Sequence, residues 1–446
     1  MDENVQNQNV SEQDIENTPT QTEAAQNDIA PVENAEANNA PAANGIKKYL
    51  PYIIIGAALL IAIIVLAVSV LGGRNSSSED LTLFSKGKVA VSIDHKFGYA
   101  DKSGKLVINP QFDEARRFND NGLAAVCISN KWGFINEKGA LVINPQFDEV
   151  GKFAPNGLAA VAVGDKWGYI DRSGKYIINL QFDSADEFSD NGLAAVKSGS
   201  RWGYIDKIGT LVITPQFSSA SKFKDNLAIV RTSAGYGYID KNGKYMINPQ
   251  FSSASAFTEN GLAMVSIGKS YGYINKKGAY VINPQFDGAY SFGSNGLAAV
   301  KKSGKWGFID KNGKFKIEAQ FDSAENFSNG LALVNLGSQY GYIDQSGKFA
   351  INPQFNGASS FADNGRALIT VEGKYGFIDK KGAYIVNPIY SLATPFFSDN
   401  YAITTSNSEN SKSNVIDSNG EITGFPSYLT GTYDYGAYLA IRNYAS

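Results

Sequence analysis

The chain has 446 residues, rich in Gly (45), Tyr (24) and Phe (26) but with only 3 Met, 1 His and 1 Cys, a composition that leaves little material for metal or redox chemistry and none for an intramolecular disulfide. The net charge of -3 divides unevenly: 1–46 carries nine acidic residues and no Lys or Arg, whereas 75–446 carries 37 basic against 34 acidic residues. That balance is too weak for the concentrated basic footprint that nucleic-acid binding requires.

In chain order, 1–46 is a tail of Asn, Gln, Glu, Ala and Pro with no aromatic residue. It cannot bury enough surface to offset the entropy of ordering, and disorder is expected. Tyr49 to Gly73 is uncharged, and about 20 such apolar residues cross the hydrocarbon core as a helix, because every backbone group is then satisfied internally. A single transmembrane helix is therefore expected over 47–73. A signal peptide fits poorly, since its leading region would be acidic and too long. Lys47 and Lys48 precede the span and only Arg74 follows closely. The positive-inside rule then places the tail in the cytoplasm and the body outside the cell membrane. The Gly- and Ser-rich stretch over 74–83 reads as a flexible linker.

From about residue 84 one pattern recurs every 34 or 35 residues. Its markers are Pro-Gln-Phe, as at Pro110-Gln111-Phe112 and Pro215-Gln216-Phe217, and an aromatic-Gly pair that occupies all four tryptophans: Trp132, Trp167, Trp202 and Trp306. The unit from Asn191 to Phe217 holds three runs rich in β-branched and aromatic residues at about ten-residue spacing, the signature of consecutive antiparallel strands. A fourth short strand is expected between Gln216 and Phe223, and very little helix outside the membrane span. Asp-x-x-Gly, as at Asp206 to Gly209, supplies a type I turn closed by a glycine at positive φ, and Asn-Gly, as at Asn191-Gly192, opens the next unit. Trp202 and Tyr204 point to one face and Ile205 to the other, so each unit must stack on its neighbours to bury its rings, and Gly203 leaves room for close backbone approach.

These residues resemble the WG-repeat family, whose Lys-Trp-Gly-Phe-Ile-Asp-x-x-Gly-like consensus is matched by Lys305-Trp306-Gly307-Phe308-Ile309-Asp310-Lys311-Asn312-Gly313 and, in part, by Lys131-Trp132-Gly133-Phe134-Ile135. The resemblance runs from about Lys86 to Pro388 and covers nine copies. It implies a bacterial, often membrane-attached β-repeat protein and no settled activity. The departures Phe97, Tyr236, Tyr271, Tyr340 and Tyr375 in the Trp slot read as packing substitutions. Nine repeats are thus expected over 84–395, with a degenerate tenth unit or C-terminal cap over 396–446. Closed propellers usually have about 4 to 8 blades, so ten units favour an open superhelical, solenoid-like stack of antiparallel hairpin units. A β-propeller-like ring is the alternative.

No catalytic, cofactor-binding or metal-ligating set emerges, and an enzyme is not expected. His95, the only histidine, lies in a turn where other units carry polar residues, and Cys127 reads as a small filler in a strand. Asn136 and Asn275 replace Asp in two of the Asp-x-x-Gly turns, a change that keeps a turn but removes a charge that a metal or an acid would need. The aromatic-Gly residues read as core, with Trp132, Trp167, Trp202 and Trp306 as the candidate binding residues. Two functions fit. One is a surface-displayed binding module for an extended partner, a cell-wall glycan or a protein, through many weak sites. The other is a structural spacer or envelope-organising scaffold.

Overall fold

The ten-residue beat of apolar runs resolves into short antiparallel strands. The computed structural model describes residues 82–406 and 413–425. The expected tail over 1–46, the span over 47–73 and the linker up to residue 81 lie outside the described residues. Among the described residues there is no helix long and apolar enough to cross a membrane.

The strands form ten separate sheets, here blades 1 to 10. Blade 4 is representative. Ser184–Ala185 pairs with Ala194–Ser198, that strand with Arg201–Ile205, and that in turn with Leu211–Phe217. Blades 2 to 9 repeat this four-stranded order. Blade 1 lacks the short first strand and blade 10 the long fourth one.

One expectation about the unit is corrected. The short strand after Pro-Gln-Phe does not complete its own sheet. Ser219–Ala220 pairs with Ala228–Thr232 and so opens blade 5. The cause is local: Trp202 lies opposite Phe217 and ends blade 4, after which Ser218 N donates to Arg231 O (2.9 Å) and hands the chain to the next sheet.

The third strand of each blade is buried on both faces. Tyr204 packs toward blade 5 and Ile205 toward blade 3. Each such ring meets a Phe of the following blade, with Tyr204 and Phe223 at 4.8 Å and Tyr169 and Phe188 at 4.8 Å between centroids. Where the ring is a tyrosine it also donates across the seam, Tyr204 Oη to Ser221 O (2.8 Å) and Tyr238 Oη to Ser255 O (2.7 Å). Gly203, between Trp202 and Tyr204, sits at a register shift. A Cβ there would lie 2.4 Å from Ile213 O and 2.7 Å from Pro215 N. Only glycine lets the fourth strand bulge in so closely.

The preference for an open stack is also corrected: blade 10 packs on blade 1, and the propeller-like ring is the architecture found. Ten apolar clusters fill ten interfaces between neighbouring blades. The tenth of these joins Leu83, Phe84, Val91 and Ala100 to Val415 and Phe425. Phe84 stands edge-on to Tyr401 at 5.1 Å and to Phe425 at 6.1 Å. Asp399 clasps the returning chain, its Oδ1 accepting from Leu83 N and its Oδ2 from Phe84 N, both at 2.9 Å. An open stack would leave that apolar surface and both amides facing water. The degenerate segment after 395 supplies Ala402–Thr405 and Ser413–Ile416, which with Leu392–Ala393 form blade 10.

Candidate interaction surface

Because strands alternate in direction, each end of every blade collects one kind of connection. One end carries the Asn-Gly and Asp-x-x-Gly turns. The other carries the hairpins between second and third strands, together with the crossovers from each blade to the next.

At the first end the carboxylates serve their own turns. Asp206 Oδ1 accepts from Ile208 N (3.0 Å) and Thr210 N (2.8 Å), and Gly209 takes φ 90°. Asn136 and Asn275 do the same with their amide oxygens, so charge is dispensable there and hydrogen-bond acceptance is not. Among the described residues no group of three or more His, Cys, Asp or Glu is placed to hold a metal.

The second end holds the four tryptophans. Trp132 is buried, 9% exposed, under the Arg116 guanidinium at 4.2 Å. Trp167, Trp202 and Trp306 are half-buried, as are Tyr236, Tyr271, Tyr340 and Tyr375 in the same slot. Their rings lie on the face turned to the next blade: Trp202 packs against the cluster between blades 4 and 5, and Trp306 against that between blades 7 and 8, with Tyr290 of its own blade at 5.2 Å. The fully buried ring of each unit is therefore the one two residues further on, such as Phe134 or Tyr204. Seven aromatic edges recur at equivalent positions, one per blade.

A second row at this end was missed by the reading of the sequence. The residue before the aromatic-Gly pair is paired with the crossover residue 17 positions on: Lys96 with Asp113 (2.5 Å), Lys131 with Asp148 (2.5 Å), Lys166 with Asp183 (2.7 Å), and Lys305 with Asp322. Each of these aspartates also accepts a backbone amide from the hairpin of the following blade, Ser129 N, Gly164 N, Gly199 N and Gly337 N respectively. The carboxylate thus ties a cation of one blade to the hairpin of the next. The lysine hydrogen bond, and then the amide, hold each carboxyl below the usual carboxylate range. Only the regular 17-residue spacing of Lys and Asp announced this row.

The remaining candidates are unremarkable in position. His95 is an exposed turn residue at φ 62°, and Cys127 is buried in a strand, its thiol pushed up by desolvation. A cavity of about 30 Å³ beside Ser221, Lys224, Leu227, Tyr238 and Phe257 has room for little more than one water.

A family model for the WG containing repeat matches nine tandem segments: 97–132, 132–167, 167–202, 202–233, 236–270, 271–306, 306–339, 340–375 and 375–408. No curated protein matches the sequence. Among solved structures, the chain is similar to one titled as the eukaryotic initiation factor, with 12% identity over 66% of this chain and 94% of that one and a TM-score of 0.43. It is similar to Hsv2 of Kluyveromyces lactis, with 9% identity over 52% of this chain and 93% of that one and a TM-score of 0.32. It is also similar to the extracellular domain of a hybrid two component system from B. thetaiotaomicron, with 10% identity over 74% and 55% and a TM-score of 0.25.

Proposed function

The chain belongs to the WG-containing-repeat family, and from that premise we propose that it is a non-catalytic, membrane-anchored module that displays its ring outside the cell and binds a cell-wall glycan or a protein. The observation that carries the binding reading is the row of half-exposed aromatics Trp167, Trp202, Tyr236, Tyr271, Trp306, Tyr340 and Tyr375 at one end of the blades. A partner long enough to touch several blades gains avidity from sites that are individually weak. The anchoring reading is supported by the uncharged run from Tyr49 to Gly73, and the orientation by Lys47 and Lys48 against Arg74. A spacer is less well supported, since blade 10 returns to blade 1 and further units in a ring would not add length.

The test is capture of purified cell-wall material and of solubilised envelope proteins by the full chain in detergent. The variant carrying Trp167→Ala, Trp202→Ala and Trp306→Ala together is the comparison. Capture that falls in the variant supports the aromatic row as the contact surface. Capture that persists undiminished shows that the row is packing only. Protease added to intact cells is expected to digest the repeats, and their full protection would reverse the orientation.

A further inference from the structure

Among the eight crossovers that lead to a described hairpin, seven place a side-chain acceptor on an amide of that hairpin in the next blade: Asp113, Asp148, Asp183, Ser252, Asp287, Asp322 and Asn356. Where a cation precedes the aromatic-Gly pair of blades 1, 2, 3 or 7, the crossover supplies the acid that neutralises it. The crossover from blade 9 to blade 10, with Lys374 and Ser391, breaks the second rule, and the crossover from blade 4 to blade 5 breaks both. Arg201 stands in the position of Lys166, but the residue 17 further on is Ser218.

Ser218 is exposed and turns its hydroxyl to Arg231 O (3.1 Å). The hairpin amide corresponding to Gly199 N is that of Ser233, and among the described residues it has no side-chain acceptor. Arg231 occupies the position of Lys197, whose charge acts on Asp183 across the preceding crossover. Its guanidinium lies 5.2 Å over the Tyr236 ring and makes no ion pair among the described residues. Arg201 is exposed and likewise without an ion pair there. No other crossover in the ring has two cations in these positions and no acid.

We propose that this crossover binds a carboxylate side chain of an acidic peptide segment, which takes the place that an aspartate of the chain fills elsewhere. This rests on the binding function above and names the partner's chemistry. The donors at these positions are Arg201, equivalent to Lys166 that reaches Asp183, and Ser233 N, equivalent to Gly199 N that donates to it, with Arg231 adding positive potential. Guanidinium and amide donors of this kind form charge-assisted hydrogen bonds to carboxylates. The crossover backbone keeps its course at Ser218, whose N donates to Arg231 O (2.9 Å), so a peptide carboxylate reaches these donors from solvent, to which Arg201, Ser218 and Arg231 are all exposed. Trp202, packed toward blade 5 and half-exposed, offers the adjoining backbone an apolar edge.

The experiment is fluorescence anisotropy of the full chain in detergent micelles with a labelled Asp- and Glu-rich peptide, with polyglucuronate as a second probe. Ser218→Asp supplies the missing acid from within and is expected to raise Kd for the peptide by about tenfold without lowering the melting temperature. Arg201→Ser is expected to weaken binding to a similar degree. Ser391→Asp adds the same charge at the crossover from blade 9 to blade 10 and is expected to leave Kd unchanged. Equal effects of the two Ser→Asp variants would overturn the proposal in favour of diffuse electrostatics. Absence of peptide binding would overturn it as well, and binding of polyglucuronate alone would give the site to a carbohydrate. If the wider capture experiment succeeds while Ser218→Asp changes nothing, this assignment fails and the binding function stands.

Discussion

Closure of the ring combines an apolar cluster with one polar clasp, and Asp399 is the residue to remove. In the ordinary repeat its slot is the Asn of Asn-Gly, whose oxygen accepts the amide two residues on, as Asn364 Oδ1 does from Arg366 N at 3.0 Å. At the junction of blades 10 and 1 the carboxylate instead accepts two amides from more than 300 residues away, Leu83 N and Phe84 N, each at 2.9 Å. Hydrogen bonds to a charged group are worth about 1.5 to 3 kcal/mol each, reduced where water can substitute. The site is partly buried, so Asp399→Ala is expected to cost about 2 kcal/mol. At about 1.4 kcal/mol per factor of ten, that cost accelerates hydrogen exchange at the Leu83 and Phe84 amides roughly thirtyfold. Amides of blades 4 to 6 should keep their protection, because their interfaces are untouched. The exposed Asp363, one repeat earlier, is the control, and Asp363→Ala should change neither. If the two amides exchange at the wild-type rate in Asp399→Ala, the apolar cluster around Phe84 closes the ring unaided and the clasp is incidental.

Other consequences follow from the repeat itself. Gly203→Ala places a methyl against the Ile213 carbonyl and is expected to cost about 3 kcal/mol, read as a fall in the denaturation midpoint; a loss below about 0.5 kcal/mol would contradict the close approach. Tyr204→Phe removes the bond to Ser221 O and is expected to cost about 1 kcal/mol, whereas Tyr204→Ala opens a cavity and is expected to cost about 4 kcal/mol, both measured by chemical denaturation. The aspartates at 113, 148, 183 and 322 have folded pKa values below the ordinary 3.8. Their contribution is complete above that value and lost as pH falls through the lowered folded values. Melting temperature should therefore fall below about pH 4, and less steeply in Asp183→Asn. Glu325 has the opposite sign: desolvation raises its carboxyl despite the bond from Ser360 Oγ (2.5 Å), so stability is lost as pH rises through its raised pKa. Glu325→Gln is then expected to melt higher than wild type at neutral pH, and an equal or lower melting temperature would count against that sign.

The strands and turns of each unit were legible because they depend on neighbours in sequence. Alternation placed Tyr204 and Ile205 on opposite faces, and Asp206 with Gly209 announced a turn whose hydrogen bonds are local. Two features depend on distant residues and were not legible. The strand at Ser219 could have paired backward or forward, and the choice is set by where Trp202 meets Phe217. Open or closed assembly turns on whether the first and last units recognise one another. What reads as wear in the tenth unit, Asp399 for Asn, Asn400 for Gly and Tyr401 for Leu, is the means of that recognition, since Asp399 and Tyr401 are the residues that meet Leu83 and Phe84. A pattern sought as a repeat discards such positions as noise, because their partner lies on the other side of the seam.

The candidate surface divides in the same way. The tryptophans are the most conspicuous residues of the unit, yet aromaticity at one slot cannot separate a core ring from a half-exposed one, and Trp132, unlike Trp202, has an arginine, Arg116, stacked above it. The Lys and Asp row was present as a 17-residue spacing, and its meaning needed the crossover, which brings the two positions together only once the fourth strand has folded back on the third. With that geometry known, sequence becomes informative again: a cation retained at Arg201 while its acid becomes Ser218 is a pair broken on one side only. In a repeat whose other cations of this kind, apart from Lys374 at the last crossover, keep their aspartates, the unmatched arginine marks the blade at which the ring's internal pattern gives way to a partner's charge.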